Sequence, residues 1–315
     1  MTKIFSYKYI NLLGRILIGL GAFVFIVLKI QDEFLIKIAS FKQGIQIEFL
    51  LITLVLMFFN WGIEAIKWKY SISTIQKIDF IRAFKLTLTG ITLGIITPNR
   101  IGEIPARALL LNNKTQLKEL VVKTSVAAFS QLIITFLWGV LAFFYVQQFY
   151  AFPFNTFVIK LVLIVLILLL LTIYFSTKFV KRLFYKISYF KKKELLDGLI
   201  DFNFISLAKI LLLSFLRYLV FFIQYYLVLR AFGIQLSTIS ELFLIPFCFM
   251  IASIIPTLVI SEIGVRGSVA IFIFAVISDN DVAILLASIL LWIINVATPA
   301  LIGLLFINRL KLVTK

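Results

Sequence analysis

Histidine is absent from all 315 residues, and cysteine occurs once, at Cys248. The first absence removes histidine general bases, Ser-His triads, HExxH zinc sites and histidine-ligated haem together. The second excludes an internal disulfide and a thiolate metal site. No metal, no cofactor and no enzymatic constellation are expected. Acids are scarce too, 14 against 31 lysines and arginines, and charged residues of either sign make up 14% of the chain. What remains is hydrocarbon: 62% of residues are hydrophobic and the mean hydropathy is +1.11. So little polar surface cannot wrap a soluble core of this size, and the expected fold class is an all-α polytopic integral membrane protein. The net charge of +17 does not point to nucleic acid, because the basic residues are distributed by loop and not along one groove.

Six stretches are apolar and long enough to cross a bilayer: Ile10–Leu28, Ile47–Ile66, Val121–Val146, Phe157–Ser176, Ile205–Leu229 and Ala283–Ile307. The first carries no small-residue cleavage site after it and reads as an uncleaved anchor. Placing the loops alternately puts 21 basic residues on one side and five on the other, so both termini are expected in the cytoplasm. Glu64, at the basic exit of the second span, reads as interfacial, and Lys67 and Lys123 count among the loop cations. Arg217 lies in the middle of the fifth span, with Gln224 or a backbone carbonyl as its ordinary partner.

Between these spans lie two interrupted segments. The first runs apolar from Ala83 to Thr97, breaks at Thr97-Pro98-Asn99-Arg100, and restarts at Gly102-Glu103-Ile104-Pro105-Ala106-Arg107. The second repeats the pattern: Leu242 to Ile255, then Pro256, a short linker, and Glu262-Ile263-Gly264-Val265-Arg266. Each copy reads Pro, linker, Glu-Ile-x-x-Arg. Proline ends the incoming helix, Gly102 or Gly264 permits close backbone approach, and Glu and Arg four apart share one helix face. The limbs are too short for comfortable crossings, so each pair reads as a broken, re-entrant hairpin. With three true crossings per half, residues 1–150 and 151–315 form two inverted-topology repeats within one membrane domain. Interrupted hydrophobic segments at matching places in two halves point to a transporter site.

The two motifs, with the Arg217-to-Gly233 span, resemble the lysylphosphatidylglycerol synthase transmembrane-region family, also called the flippase-like domain family. The resemblance covers nearly the whole chain, although Asn99-Arg100 stand where a glycine after the proline is common in the family. Members are similar to lipid flippases fused to an aminoacyl-transferase domain, or to stand-alone membrane proteins. No segment of this chain has room for the transferase, so lysine transfer is not carried over, and a separate lipid-modifying transferase becomes a conceivable partner. The resemblance implies a multi-pass protein of a bacterial-type cytoplasmic membrane that moves an anionic phospholipid or a polyprenyl-phosphate-linked lipid between leaflets. Arg107, Arg266, Arg217 and Arg100 are the candidate phosphate partners, and Glu103 and Glu262 would hold the motif arginines when no lipid is bound. Two other readings stay open: transport of another small anionic solute, and a multi-span polyprenyl-phosphate-sugar glycosyltransferase using the acids Asp32-Glu33 or Asp279-Asn280-Asp281.

Overall fold

The computed structural model describes residues 44–95, 97–111, 113, 115–150, 156–186, 196–199, 201–257 and 259–307. The expected first span, Ile10–Leu28, and the acids Asp32 and Glu33 lie outside the described residues. Among those described, helices and turns account for the structure without a strand, and five helices are long and apolar enough to span. They are α1 (Ile47–Ile72), α4 (Leu117–Val146), α5 (Thr156–Phe175), α7 (Phe204–Ala231) and the composite α11–α12 (Asp281–Trp292, Thr298–Ile307). The first hairpin is α2 (Phe80–Gly94) and α3 (Glu103–Leu109), joined through a 3-10 turn at Pro98–Arg100. The second is α9 (Leu244–Ile254) and α10 (Val259–Phe274), led by the short α8 (Ile239–Leu242). The surface helix α6 (Thr177–Phe184) follows α5.

Local chemistry sets these boundaries. Asp79 caps α2 by accepting the Arg82 N–H at 2.7 Å, and Asn203 and Ser206 form a reciprocal capping box that starts α7. Pro105 and Pro246 sit in first turns, where no N–H is needed. Pro299 has no such shelter. Its ring would meet the carbonyl of Asn295, four residues back, and the last span widens there into a π-turn over Ile293–Ala297.

The centre of the molecule is an antiparallel pair, α1 against α7. The Gln46 N–H donates to the Ala231 carbonyl at 3.1 Å, the Gln224 amide to the Thr53 carbonyl at 3.0 Å, and Arg217 Nε to Asn60 Oδ1 at 2.9 Å. The contacts advance seven residues at a time along each helix, the spacing that keeps one seam facing its partner. Around this pair, α4 packs on α9 and α12 packs on α2. The second contact is close: a Cβ at Gly303 would lie 2.3 Å from the Leu88 carbonyl oxygen, so no larger residue fits there. At the other extreme, α5 has a mean hydropathy of 3.0 with 6% of its span buried, the profile of a helix that faces lipid.

The two hairpins approach from opposite ends of the bundle. One end gathers Ser71, Thr74, Lys123 and Asp201, through Ser71 Oγ donating to the Lys123 carbonyl (2.6 Å), Thr74 to Asp201 (3.3 Å) and the Lys123–Asp201 ion pair (2.8 Å). There α3 ends, and Ala108, with Leu110 and Leu111 just beyond the helix, packs with Ile72, Ile78 and Leu120. The other end gathers Gln46 with Ala231 and sets Tyr145 against Phe243 in a tilted ring contact, with centroids 4.8 Å apart. The hairpins meet at their breaks. The Asn99 N–H donates to the Thr257 carbonyl at 2.9 Å, and the Thr257 N–H donates to Asn99 Oδ1 at 2.7 Å. Asn99 and Arg100 both take left-handed backbone angles, φ 46° and 55°, a region that glycine enters at lower cost than residues with a Cβ.

Lys67 and Lys123 are corrected by this arrangement. Both are fully buried, paired with Glu64 and Asp201 respectively, and neither is a loop cation. Helix α1 runs six residues past its expected end at Ile66, which carries Glu64 and Lys67 into the packed interior.

Candidate functional site

The ionic residues form two clusters with a cavity between them. In the first, Glu64 is the hub. One carboxylate oxygen accepts from Arg107 Nη1 at 2.8 Å; the other lies 3.0 Å from Arg217 Nη1 and 2.8 Å from Lys67 Nζ. Glu64 is 5% exposed, not interfacial as its place in the sequence suggested. Arg107 uses its other terminal nitrogen on Glu103, four residues back, at 3.0 Å. Gly90 makes room for this arginine, since a Cβ there would lie 2.5 Å from Arg107 Cγ. Gly102 closes the turn by donating its N–H to Thr97 Oγ1 at 2.8 Å.

In the second cluster Glu262 holds Arg266 through two nitrogens, Nε and Nη2, both at 2.8 Å, and also takes Arg100 Nη2 at 3.3 Å from the first hairpin. The expected Glu-Arg pairing within each motif is thus present in both. The second cluster draws no acid from α7, the helix that faces α1, since α7 contains none. Arg217 belongs to the first cluster and also lines the cavity. Its partners are Asn60 and Glu64, not Gln224, which instead accepts from the Asn60 amide at 3.3 Å; its guanidinium also stands 4.6 Å above the Trp61 ring.

The cavity has a volume of about 220 Å3 and opens between α1, α4, α7, α9 and α11. Arg100, Arg217 and Arg266 line it, and no carboxylate does. Arg107 does not reach it: at 5% exposure it is sealed behind Glu64, whereas Arg217, Arg100 and Arg266 are 19%, 22% and 29% exposed. The two clusters set five cationic side chains against three carboxylates, an excess of two positive charges. In an apolar medium such an excess calls for an anionic partner, and guanidinium groups hold phosphate oxygens bidentately.

Sequence reading found Arg100, Arg107, Arg217, Arg266, Glu103 and Glu262, but not Glu64, Lys67 or Asn60. The signal for Asn60 and Lys67 was a polar residue every seven positions, Gln46, Thr53, Asn60 and Lys67, in an otherwise apolar stretch, and Glu64, four after Asn60, falls on the same helix face. Pro256 lies between α9 and α10 as expected, and Gly264 lies within α10. The tip around Asp279 serves the fold: Asn280 accepts the Ala283 N–H at 3.1 Å and caps α11, with Asp281 in its first turn. Among the described residues no group of three or more His, Cys, Asp or Glu could hold a metal ion.

No curated protein and no solved structure matches the chain. The family model described as the lysylphosphatidylglycerol synthase TM region matches residues 12–303. With its helical membrane architecture and its paired Glu-Ile-x-x-Arg motifs, the chain belongs to this family, a membrane domain of lipid-related proteins.

Proposed function

We propose that this protein is a flippase-type lipid transporter that moves an anionic phospholipid or a polyprenyl-phosphate-linked lipid between leaflets. The observation that carries the reading is the cavity wall: three guanidiniums, no carboxylate, and a net positive charge deep among apolar helices. Its volume of about 220 Å3 falls below the roughly 300–1,000 Å3 of sites that enclose a drug-sized ligand, which suits a head group whose chains stay in the bilayer. Lipid phosphate would share Arg266 and Arg100 with Glu262, adding an anion where cations are in excess so that neither the phosphate nor the carboxylate is left alone.

The halves 1–150 and 151–315 serve this as inverted repeats. The exchange of partners supports that reading: the span after the first hairpin, α4, packs on the second hairpin, and the span after the second, α11–α12, packs on the first. Opposed hairpins meeting at their breaks suit alternating access. Both termini lie in the cytoplasm in this account, and without Lys67 and Lys123 the loop charges still divide 19 to five. With Cys248 replaced, single cysteines at Gln148 and Asn280 should react with an impermeant thiol reagent outside intact cells and one at Ser188 should not; the reverse pattern inverts the orientation.

The function is tested in vesicles reconstituted with the purified chain. Labelled anionic phospholipid in the inner leaflet should become accessible to an impermeant quencher at a rate that scales with protein content. Protein-independent rates for both phospholipid and polyprenyl-phosphate lipid, with uptake of a soluble anion instead, would replace lipid by solute transport.

A further inference from the structure

The cavity holds more than arginines. Asn295, 4% exposed, lines it from the π-turn of the last span, with Oδ1 buried and without a hydrogen-bond partner. Its amide nitrogen donates to the Leu291 carbonyl at 3.3 Å, which fixes which end of the amide is oxygen. Gln131, from α4, adds a second side-chain oxygen without a partner, and Tyr218, 3% exposed, adds an unpartnered hydroxyl. A buried acceptor left unmatched costs free energy, so the site is completed by a ligand that brings donors as well as negative charge.

Two kinds of donor accompany phosphate in lipid head groups, hydroxyl and ammonium, and the charges choose between them. No carboxylate lines the cavity, and the neighbouring ones are occupied, Glu64 by three cations and Glu262 by two. An ammonium would sit among three guanidiniums with nothing to neutralise it. A hydroxyl meets the amide oxygens without that penalty. We infer that the head group carried here is a phosphodiester bearing a neutral, hydroxylated substituent, a glycerol or a sugar, and not an amine or aminoacyl group, with Asn295 as the residue that reads the hydroxyl.

This rests on the proposed lipid transport and sharpens its substrate. The test measures translocation by the full chain in vesicles containing, in separate arms, phosphatidylglycerol, a polyprenyl-phosphate hexose, phosphatidic acid, phosphatidylethanolamine and a lysyl ester of phosphatidylglycerol. One or both hydroxylated lipids should move about tenfold faster than phosphatidic acid, the worth of one buried hydrogen bond, and the two amine-bearing lipids slowest; which hydroxylated arm moves identifies the source. Asn295→Leu should erase the preference over phosphatidic acid while phosphatidic acid itself still moves. The near-isosteric Asn295→Asp should fold as the parent does and raise the rate of the amine-bearing lipids relative to phosphatidylglycerol. Amine-bearing lipids moving as fast as hydroxylated ones, or an unchanged preference in both variants, overturns the inference while leaving lipid transport standing. Movement of no lipid in any arm overturns both.

Discussion

Arg107 and Arg266 hold the same place in two copies of one motif, each four residues after a glutamate, yet they have different surroundings. Arg107 is clamped by Glu103 and Glu64 and is 5% exposed; Arg266 has Glu262, shares it with Arg100, and stands 29% exposed on the cavity wall. The motif explains the common part, a glutamate and an arginine on one helix face. The difference comes from the surrounding helices: α1 brings Glu64 to Arg107, whereas α7 brings Arg217 and no acid to the cavity that Arg266 lines. Short-range pattern therefore establishes the pair, and its surroundings decide whether the arginine is sealed in the interior or stands on the cavity wall.

The largest effect expected from this contrast is at Glu64. Glu64→Gln leaves Lys67, Arg107 and Arg217 buried around a neutral amide and should destabilise the protein by about 3–5 kcal/mol, the usual cost of removing one member of a buried pair. Glu262→Gln, whose two arginines touch the cavity, should cost less, about 1–2 kcal/mol, between the buried and exposed limits. Thermal unfolding in detergent orders the two, and equal losses would erase the distinction between the clusters.

A finer probe acts on the sealed arginine without touching a charge. Gly90→Ala places a methyl group 2.5 Å from Arg107 Cγ and should cost about 1–3 kcal/mol through overpacking, while Arg266 keeps its setting. A parent-like melting temperature for Gly90→Ala would show that Arg107 has room to move.

Much of this architecture was legible from hydropathy and punctuation. The ends of α4, α5 and α7 fall within a few residues of their apolar limits, and Pro98 and Pro256 mark both breaks. The end of α1 was not legible, because Glu64, Lys67 and Lys69 resemble a charged exit until partners from elsewhere are known. Those partners, Arg107 and Arg217, are 43 and 153 residues away, and no local periodicity encodes such pairings. For the same reason the cavity was expected to take Arg107 and Arg266 alike, while the fold gives it Arg266, Arg217 and Arg100. Asn99 was marked as a departure from glycine, but its bond to Thr257 across the two hairpins needed the three-dimensional arrangement.

The lipid translocation rate of Arg266→Ala in reconstituted vesicles, normalised to folded protein, tests the central claim most directly. Arg266→Ala should keep a melting temperature close to the parent's, because a partly exposed pair contributes at most about 1 kcal/mol, yet lose most translocation; Arg266→Lys should recover little of it, lacking the planar fork. Parent-rate translocation by folded Arg266→Ala would contradict the account, leaving the cavity guanidinium a structural charge and the second motif a mere copy of the first.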